Sequence, residues 1–260
     1  MFIGFIYAIV IAAACILGAI VGLGGGVFIR PIFDAIGHHG VHEIGFFASS
    51  AILAMAIVST IKKMRDGTKI DPAIVLTISL GAVVGGFIGD RLVLQSLLNL
   101  FAYESHVQYV QIIATVVVLS LSLLLTAKST LRLPVKNKLF SVILGVALGS
   151  LAAFLGIGGG PINVPLMMIF FGLGIKDATA YSIVIIFFSH FSRLATMGVT
   201  VGFSHFDLAI LPFVIVAAAL GGLIGARLSK IFSEKTVKRL FQGAISAVIV
   251  LNIVNGLFLI

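Results

Sequence analysis

"GLGGGVFIRP" at residues 22–31 and "GIGGGPINVP" at residues 156–165 are two copies of one motif, 134 positions apart. Each sets a Gly-x-Gly-Gly-Gly run inside apolar sequence and closes it with a proline, Pro31 in the first copy and Pro165 in the second. Glycine and proline are the residues least favourable to a helix interior, yet the surrounding sequence demands helix. Of 260 residues 60% are hydrophobic and 10% charged, where a soluble domain carries roughly 25% charged residues. Apolar runs at 2–22, 73–94, 107–127, 208–226 and 240–260 have the length of about twenty residues that crosses a bilayer core. The period-two alternation of a membrane barrel is absent. The chain reads as an all-α polytopic membrane protein.

Met1 to Val21 lacks the basic leader and polar continuation of a signal peptide, so it reads as a retained helix. Cys15 is the single cysteine, which excludes an internal disulfide or thiolate cluster and suits apolar packing. The net charge of +8 does not indicate nucleic acid. Thirteen of the seventeen Lys and Arg fall in three short stretches: Lys62, Lys63, Arg65 and Lys69; Lys128, Arg132, Lys136 and Lys138; Arg227, Lys230, Lys235, Lys238 and Arg239. Short basic loops between membrane helices mark the cytoplasmic side.

The repeat extends beyond the glycines. Ser49 matches Ser182, Asp71 matches Asp207, and Glu104-x-x-Val107 matches Glu234-x-x-Val237. Gly85-Gly-Phe-Ile-Gly-Asp-Arg91 matches Gly221-Gly-Leu-Ile-Gly-Ala-Arg227, and the offset drifts only between 130 and 136. The loop at 62–69 is basic while its counterpart at 199–206 has no Lys or Arg; for 95–106 and 229–236 the asymmetry is reversed. Equivalent loops therefore lie on opposite sides, the signature of two inverted-topology repeats with an odd number of crossings each. Five segments per half satisfy this: about 2–22, 26–37, 44–62, 72–94 and 107–127, then about 139–156, 160–172, 178–198, 207–227 and 238–260. The first repeat is 1–127, the second 139–260, and 128–138 with Pro134 is a cytoplasmic linker. Both termini are expected outside the cytoplasm, in a multi-pass protein of the cell inner membrane.

The second segment of each half is too short to cross unaided and starts at the glycines. Broken helices at membrane depth line cavities in transporters, and a helix N-terminus presents free N–H groups to an anion. The glycines Gly24, Gly25 and Gly26, with Gly158, Gly159 and Gly160, would let a ligand approach the backbone. The competing reading is a packing face of small residues. A dinucleotide fingerprint is excluded, since no strand precedes either run.

Arg30 and Arg193 interrupt apolar sequence, and such charges are functional candidates by default. Their guanidinium forks suit oxyanions. Arg193 shares a helical face with Ser182 and Ser189, and Ser49 with Ser50 lies at the equivalent place in the first half. Asn163 and His190 add further polar groups. The competing readings are an Arg30–Asp34 ion pair, an Arg193 reaching outward to the interface, and a structural His190. His38, His39 and His42 with Glu43 suit a solvated loop better than a metal site. No metal or cofactor is expected.

The residues "GIGGGPINVPLM" (156–167), "ATAYSIVIIFFSH" (178–190) and "GLGGGVFIRPIF" (22–33) resemble the TauE/SafE family of membrane proteins over essentially the whole chain. The resemblance implies transport of sulfite, organosulfonates or related small anions. Family members continue the glycine run to Val-Pro, as Val164-Pro165 does, whereas the first half has Arg30-Pro31; they also often show Thr-Ser where this chain has Tyr181-Ser182. The extra arginine suits an anion. The reading reached is a secondary transporter that exports a small sulfur oxyanion by alternating access. A passive anion channel, an intramembrane enzyme using His190 and Ser189, and a scaffold subunit are the alternatives. The enzyme reading lacks a nearby carboxylate, a cofactor motif and a soluble domain. The expected partners are the anionic substrate and the lipid bilayer; a homodimer is compatible with the sequence.

Overall fold

A computed structural model describes residues 2–68, 70–101, 103–127, 132–133, 135, 137–157 and 159–258. Lys69, Gly158 and, within the linker, Lys128, Pro134 and Lys136 lie outside the described residues. The described chain is helical, in the order α1 (Phe2–Val21), α2 (Gly26–Ile36), α3 (Val41–Arg65), α4 (Pro72–Phe87), α5 (Gln95–Leu100), α6 (Glu104–Ala127), α7 (Lys138–Leu155), α8 (Gly160–Phe171), α9 (Ile175–Thr200), α10 (Leu211–Ile231) and α11 (Glu234–Phe258). A π-helical stretch, Ile88–Leu94, joins α4 to α5 without a break. Eight helices among the described residues are long and apolar enough to cross a membrane. The protein is an all-α, multi-pass membrane protein.

Segment ends differ from expectation where a local cap decides them. Asp71 starts α4 as expected, its Oδ1 accepting Ala73 N–H at 2.9 Å with Pro72 as the first helical residue, a residue whose missing N–H costs nothing there. Asp207 accepts from Ala209 N–H in the same way but closes only a local turn, and α10 begins at Leu211. The fourth segment runs on to Leu100 because the π-helical stretch carries the backbone ladder past residue 94.

Close helix approach comes from glycines four residues apart. Gly81 and Gly85 of α4 and Gly89 of the π-helical stretch meet Val142, Val146 and Ser150 of α7 in turn, so these helices run parallel. Gly221 and Gly225 of α10 meet Ala12 and Ile16 of α1, also in parallel. In contrast α3 and α9, which hold the matched serines, run antiparallel: Lys63 reaches Thr179 at one end and Ser49 reaches Arg193 at the other. Two cores result. One gathers Leu148, Met167, Val184 and Phe241, the other Tyr7, Phe33, Phe47 and Met55, with the two glycine turns between them.

The short helices are tied down from opposite halves. Asn255 of α11 donates to the Pro31 carbonyl of α2 at 2.7 Å, and Ser122 of α6 donates to the Pro161 carbonyl of α8. Each break is thus clamped by the last helix of the other half, which compensates backbone groups that have no water to turn to.

Candidate functional site

The turns before α2 and α8 touch. A Cβ at Gly160 would strike the Leu23 backbone, and one at Gly26 would lie 3.0 Å from the Ile157 carbonyl carbon. Gly22 and Gly156, the first glycines of the two runs, both take left-handed backbone, at φ +75° and +65°. Side chains with a Cβ adopt that conformation rarely, so these glycines are needed for the chain to leave α1 and α7. The turns overlap along the middle of α9. Gly22 abuts Thr179 and its carbonyl accepts from Ser182 at 2.7 Å; Gly24 abuts Ile186; Gly156 abuts Arg193.

The charges converge there. Arg193 is 1% exposed, so it does not reach outward to an interface. Its Nε donates to Asp90 Oδ1 at 3.1 Å and its Nη1 to Ser49 Oγ at 3.4 Å. Its Nη2 rests against Gly45, where a Cβ would be only 2.6 Å away. Ser49 Oγ lies 3.1 Å from His190 Nδ1. Arg30, 4% exposed, donates through Nη2 to Gln111 Oε1, while Gln111 donates onward to the Phe154 carbonyl at 2.7 Å. The Arg30–Asp34 pair exists but is long, at 3.7 Å. The two guanidinium groups arrive on α2 and α9 from different halves of the chain, and a Cβ at Gly156 would meet Nη1 of both, at 2.5 and 3.1 Å.

Four polar atoms in this region are buried and have no hydrogen-bond partner within the protein: Arg30 Nη1, Asp34 Oδ1, Asn163 Oδ1 and His190 Nε2. Buried polar groups are nearly always paired, because an unmade hydrogen bond costs about 1–3 kcal/mol. Arg30 Nη1 and a donor-capable His190 Nε2, left open beside the paired guanidinium groups, are donors of the kind an oxyanion needs, whereas Asn163 Oδ1 can only accept. The hollow beside Arg30 and Gln111, however, measures only ≈ 10 Å³. That is about one water's worth of space, so the Arg30 side of the centre is closed in this conformation.

The proposed residues divide. The structure brings together Arg30, Ser49, His190, Arg193 and the turn glycines. Asn163 sits one turn into α8 beside Gly159. Ser182 is committed to the Gly22 carbonyl, and Ser189 donates to Ile186 of its own helix. Ser50 faces away, into an apolar groove of ≈ 510 Å³ with Phe46, Leu53 and Leu194. That groove is roomy but carries no charge. The outer histidines are likewise local: His39 Nδ1 is 2.7 Å from the Tyr7 hydroxyl, and Glu43 accepts from Gly40 N–H. Among the described residues no group of three His, Cys, Asp or Glu could hold a metal.

The partners of Asp90, Gln111 and Lys63 do not stand out in sequence. Asp90 shows there only as the one acid in the fourth apolar segment, at the place of Ala226 in the repeat. Lys63 belongs in sequence to a basic loop, yet it is 6% exposed and donates to Ser229 at 3.0 Å and Thr179 at 3.4 Å. It borders a polar basin of ≈ 290 Å³ with Asp66, Lys176, Asp177 and Lys230. At the other end of the α3–α9 pair, Phe46 stacks on Phe206 with ring centres 4.2 Å apart. One end of the pair is polar, the other aromatic.

The family model described as Sulfite exporter TauE/SafE matches residues 7–251. Two proteins described as Probable membrane transporter protein MamO are similar, one from Magnetospirillum gryphiswaldense at 25% identity and one from Paramagnetospirillum magneticum at 26%, each over 270 aligned residues. The alignments cover 91% of this chain but 42% of each relative, so the chain spans less than half their length. No solved structure matches.

Proposed function

The chain belongs to the sulfite exporter TauE/SafE family, and on that premise we propose that it exports a small sulfur oxyanion, sulfite or an organosulfonate, by alternating access. The observation that carries the reading is the convergence of Arg30 and Arg193 on Gly156, with Arg30 Nη1 left unpaired. Fork-shaped donors in a low-dielectric site bind planar and tetrahedral oxyanions through charge-assisted hydrogen bonds. Ser49, His190 and Asn163 complete the set, with the amides of the glycine turns.

The antiparallel α3 and α9, the parallel α1–α10 and α4–α7 pairs, and the cross-tied short helices support two inverted halves, 1–127 and 139–260, that rock about the shared site. The closed Arg30 side of the centre, the polar basin at Lys63 and the aromatic stack at Phe46 suit an alternating gate better than a standing pore. Placed with its basic loops in the cytoplasm of the cell that bears it, in the inner membrane and with both termini outside, the protein would release an anion down the membrane potential. That gradient is worth about 2.3 kcal/mol per charge per 100 mV, so export needs no further coupling.

The test is uptake of labelled sulfite or sulfoacetate into liposomes holding the purified protein. Saturable uptake above empty liposomes, reduced at least about tenfold by Arg30→Ala, is expected; one lost charge-assisted contact amounts to that much or more. Unsaturable flux would instead indicate a channel, and flux equal to empty liposomes for every small sulfur oxyanion would reject the substrate class.

A further inference from the structure

The π-helical stretch Ile88–Leu94 holds an element of the centre that the two halves do not share. Its counterpart in α10, Gly221 to Arg227, stays α-helical, and the residue in the place of Asp90 is Ala226. A π turn adds a residue to the helical ladder and re-aims the side chains it carries, and such turns concentrate at functional sites. Here it sends Asp90 inward, 3% exposed, onto Arg193 Nε. Its neighbour Arg91 points outward and is occupied by Gln95. Gly89 allows the stretch to lie against the Ser150 backbone of α7. The sequence therefore uses a rare helical turn to put a carboxylate where the transported ion should bind.

Two features make this more than a structural ion pair. Arg193 spends only Nε on Asp90, an end of its fork, while Nη1 reaches Ser49 and the Gly156 turn. Asp90 fills the Nε edge of Arg193, and the hollow at Arg30 is only ≈ 10 Å³, so an oxyanion that uses that edge needs the carboxylate to leave. A carboxylate is the nearest chemical stand-in for such an ion: two oxygens, one negative charge, the same affinity for a guanidinium fork.

We propose that Asp90 is a resident competitor for Arg193, displaced when a small oxyanion binds between the glycine turns and returning to expel it. The inference rests on the reading of that centre as an anion site. When the anion arrives, the Asp90–Arg193 hydrogen bond breaks and an anion–Arg193 bond forms, so Arg193 is never left buried without a counter-charge, a situation that is strongly destabilising. The π turn is the hinge: regularising it towards α-helix swings Asp90 off the guanidinium, and restoring it brings the carboxylate back. Binding energy is thereby kept low enough for release, the step that sets the rate of many gated proteins.

The experiment compares purified full-length wild type with Asp90→Asn, titrating sodium sulfite by calorimetry and measuring sulfite efflux from liposomes. The amide keeps the shape and removes the competing charge. A Kd about tenfold lower than wild type, together with slower turnover, is the expected result. Wild type that binds sulfite with Asp90→Asn equal or weaker would overturn the exchange and leave the anion site standing. No binding to either protein, with sulfite or with other small sulfur oxyanions, would overturn both. Should Asp90→Asn not fold, hydrogen–deuterium exchange of wild type decides: saturating sulfite should loosen amides over 86–97 while protecting those over 18–30. Equal or greater protection over 86–97 would sink the exchange.

Discussion

The two halves of this chain repeat their backbone but not their charges. Both have a helix that ends in a left-handed glycine, a short proline-containing helix, and a long helix bearing a serine at the matched position. Arg30, however, faces Val164 across the repeat, Asp90 faces Ala226, and Arg193 faces Thr60. Even the matched serines are used differently, Ser182 to fasten the Gly22 carbonyl and Ser49 to contact Arg193 and His190. On the proposed function, the scaffold repeats because an alternating gate would need two mirrored conformations, and the charged groups occur once because one ion would be bound at a time.

Arg193→Gln against Thr60→Val tests that division most severely. The first leaves Asp90 buried without its partner and should cost about 3–5 kcal/mol, with sulfite transport abolished. The second removes a hydroxyl that is itself unpaired, and its melting temperature and flux should stay near wild type. Equal effects would mean that the charges are not the functional difference.

Next in size is the contact between the turns. Gly160→Ala drives a methyl into the Leu23 backbone, which cannot yield, whereas at Gly26 the nearest atom is the flexible Ile52 Cδ1. Overpacking of this kind costs about 1–3 kcal/mol. Gly160→Ala should lower the denaturation midpoint clearly more than Gly26→Ala does. Reversal of that order would place the rigid side of the contact in the other half.

Ser182→Ala and Ser49→Ala separate fastening from binding. Losing the hydrogen bond to Gly22 should cost about 1 kcal/mol of stability with sulfite affinity little changed. Ser49→Ala should do the opposite, weakening sulfite binding measured by calorimetry with a smaller thermal shift.

The smallest effect concerns the polar end of the α3–α9 pair. Lys62, at 2.6 Å, and Lys230, at 3.5 Å, hold the Asp66 carboxyl below the usual range, the Lys62 hydrogen bond contributing most. A carboxyl held low in the folded state stabilises above its unfolded pKa of about 3.9, and loses that contribution as pH falls through the lower folded value. Thermal scans of wild type and Asp66→Asn should therefore differ slightly at neutral pH and converge in acid.

Much of this arrangement is legible in sequence, and the parts that are not have a common cause. The apolar runs, the duplicated glycines and the cap at Asp71 are local properties, written in residues close together, so they can be read before any fold is known. Arg30 and Arg193 are legible too, since a charge in apolar sequence stands out wherever it points. Asp90 shows as an acid in apolar sequence by the same rule, but its partner does not, because only the π turn decides that it faces inward while Arg91 faces out. Lys63 is not legible, because three neighbouring cations hide the one that burial selects.

The sequence by itself determined a membrane-spanning helical chain, its two breaks and two of its buried charges, because hydropathy, glycine and proline act within a few residues of where they stand. The tertiary structure alone decided which serine meets the buried arginine and which fastens a glycine turn, which lysine is buried, and that an acid occupies Arg193. Those outcomes depend on what lies across a helix interface, and partners such as Asp90 and Arg193 are 103 residues apart in the chain.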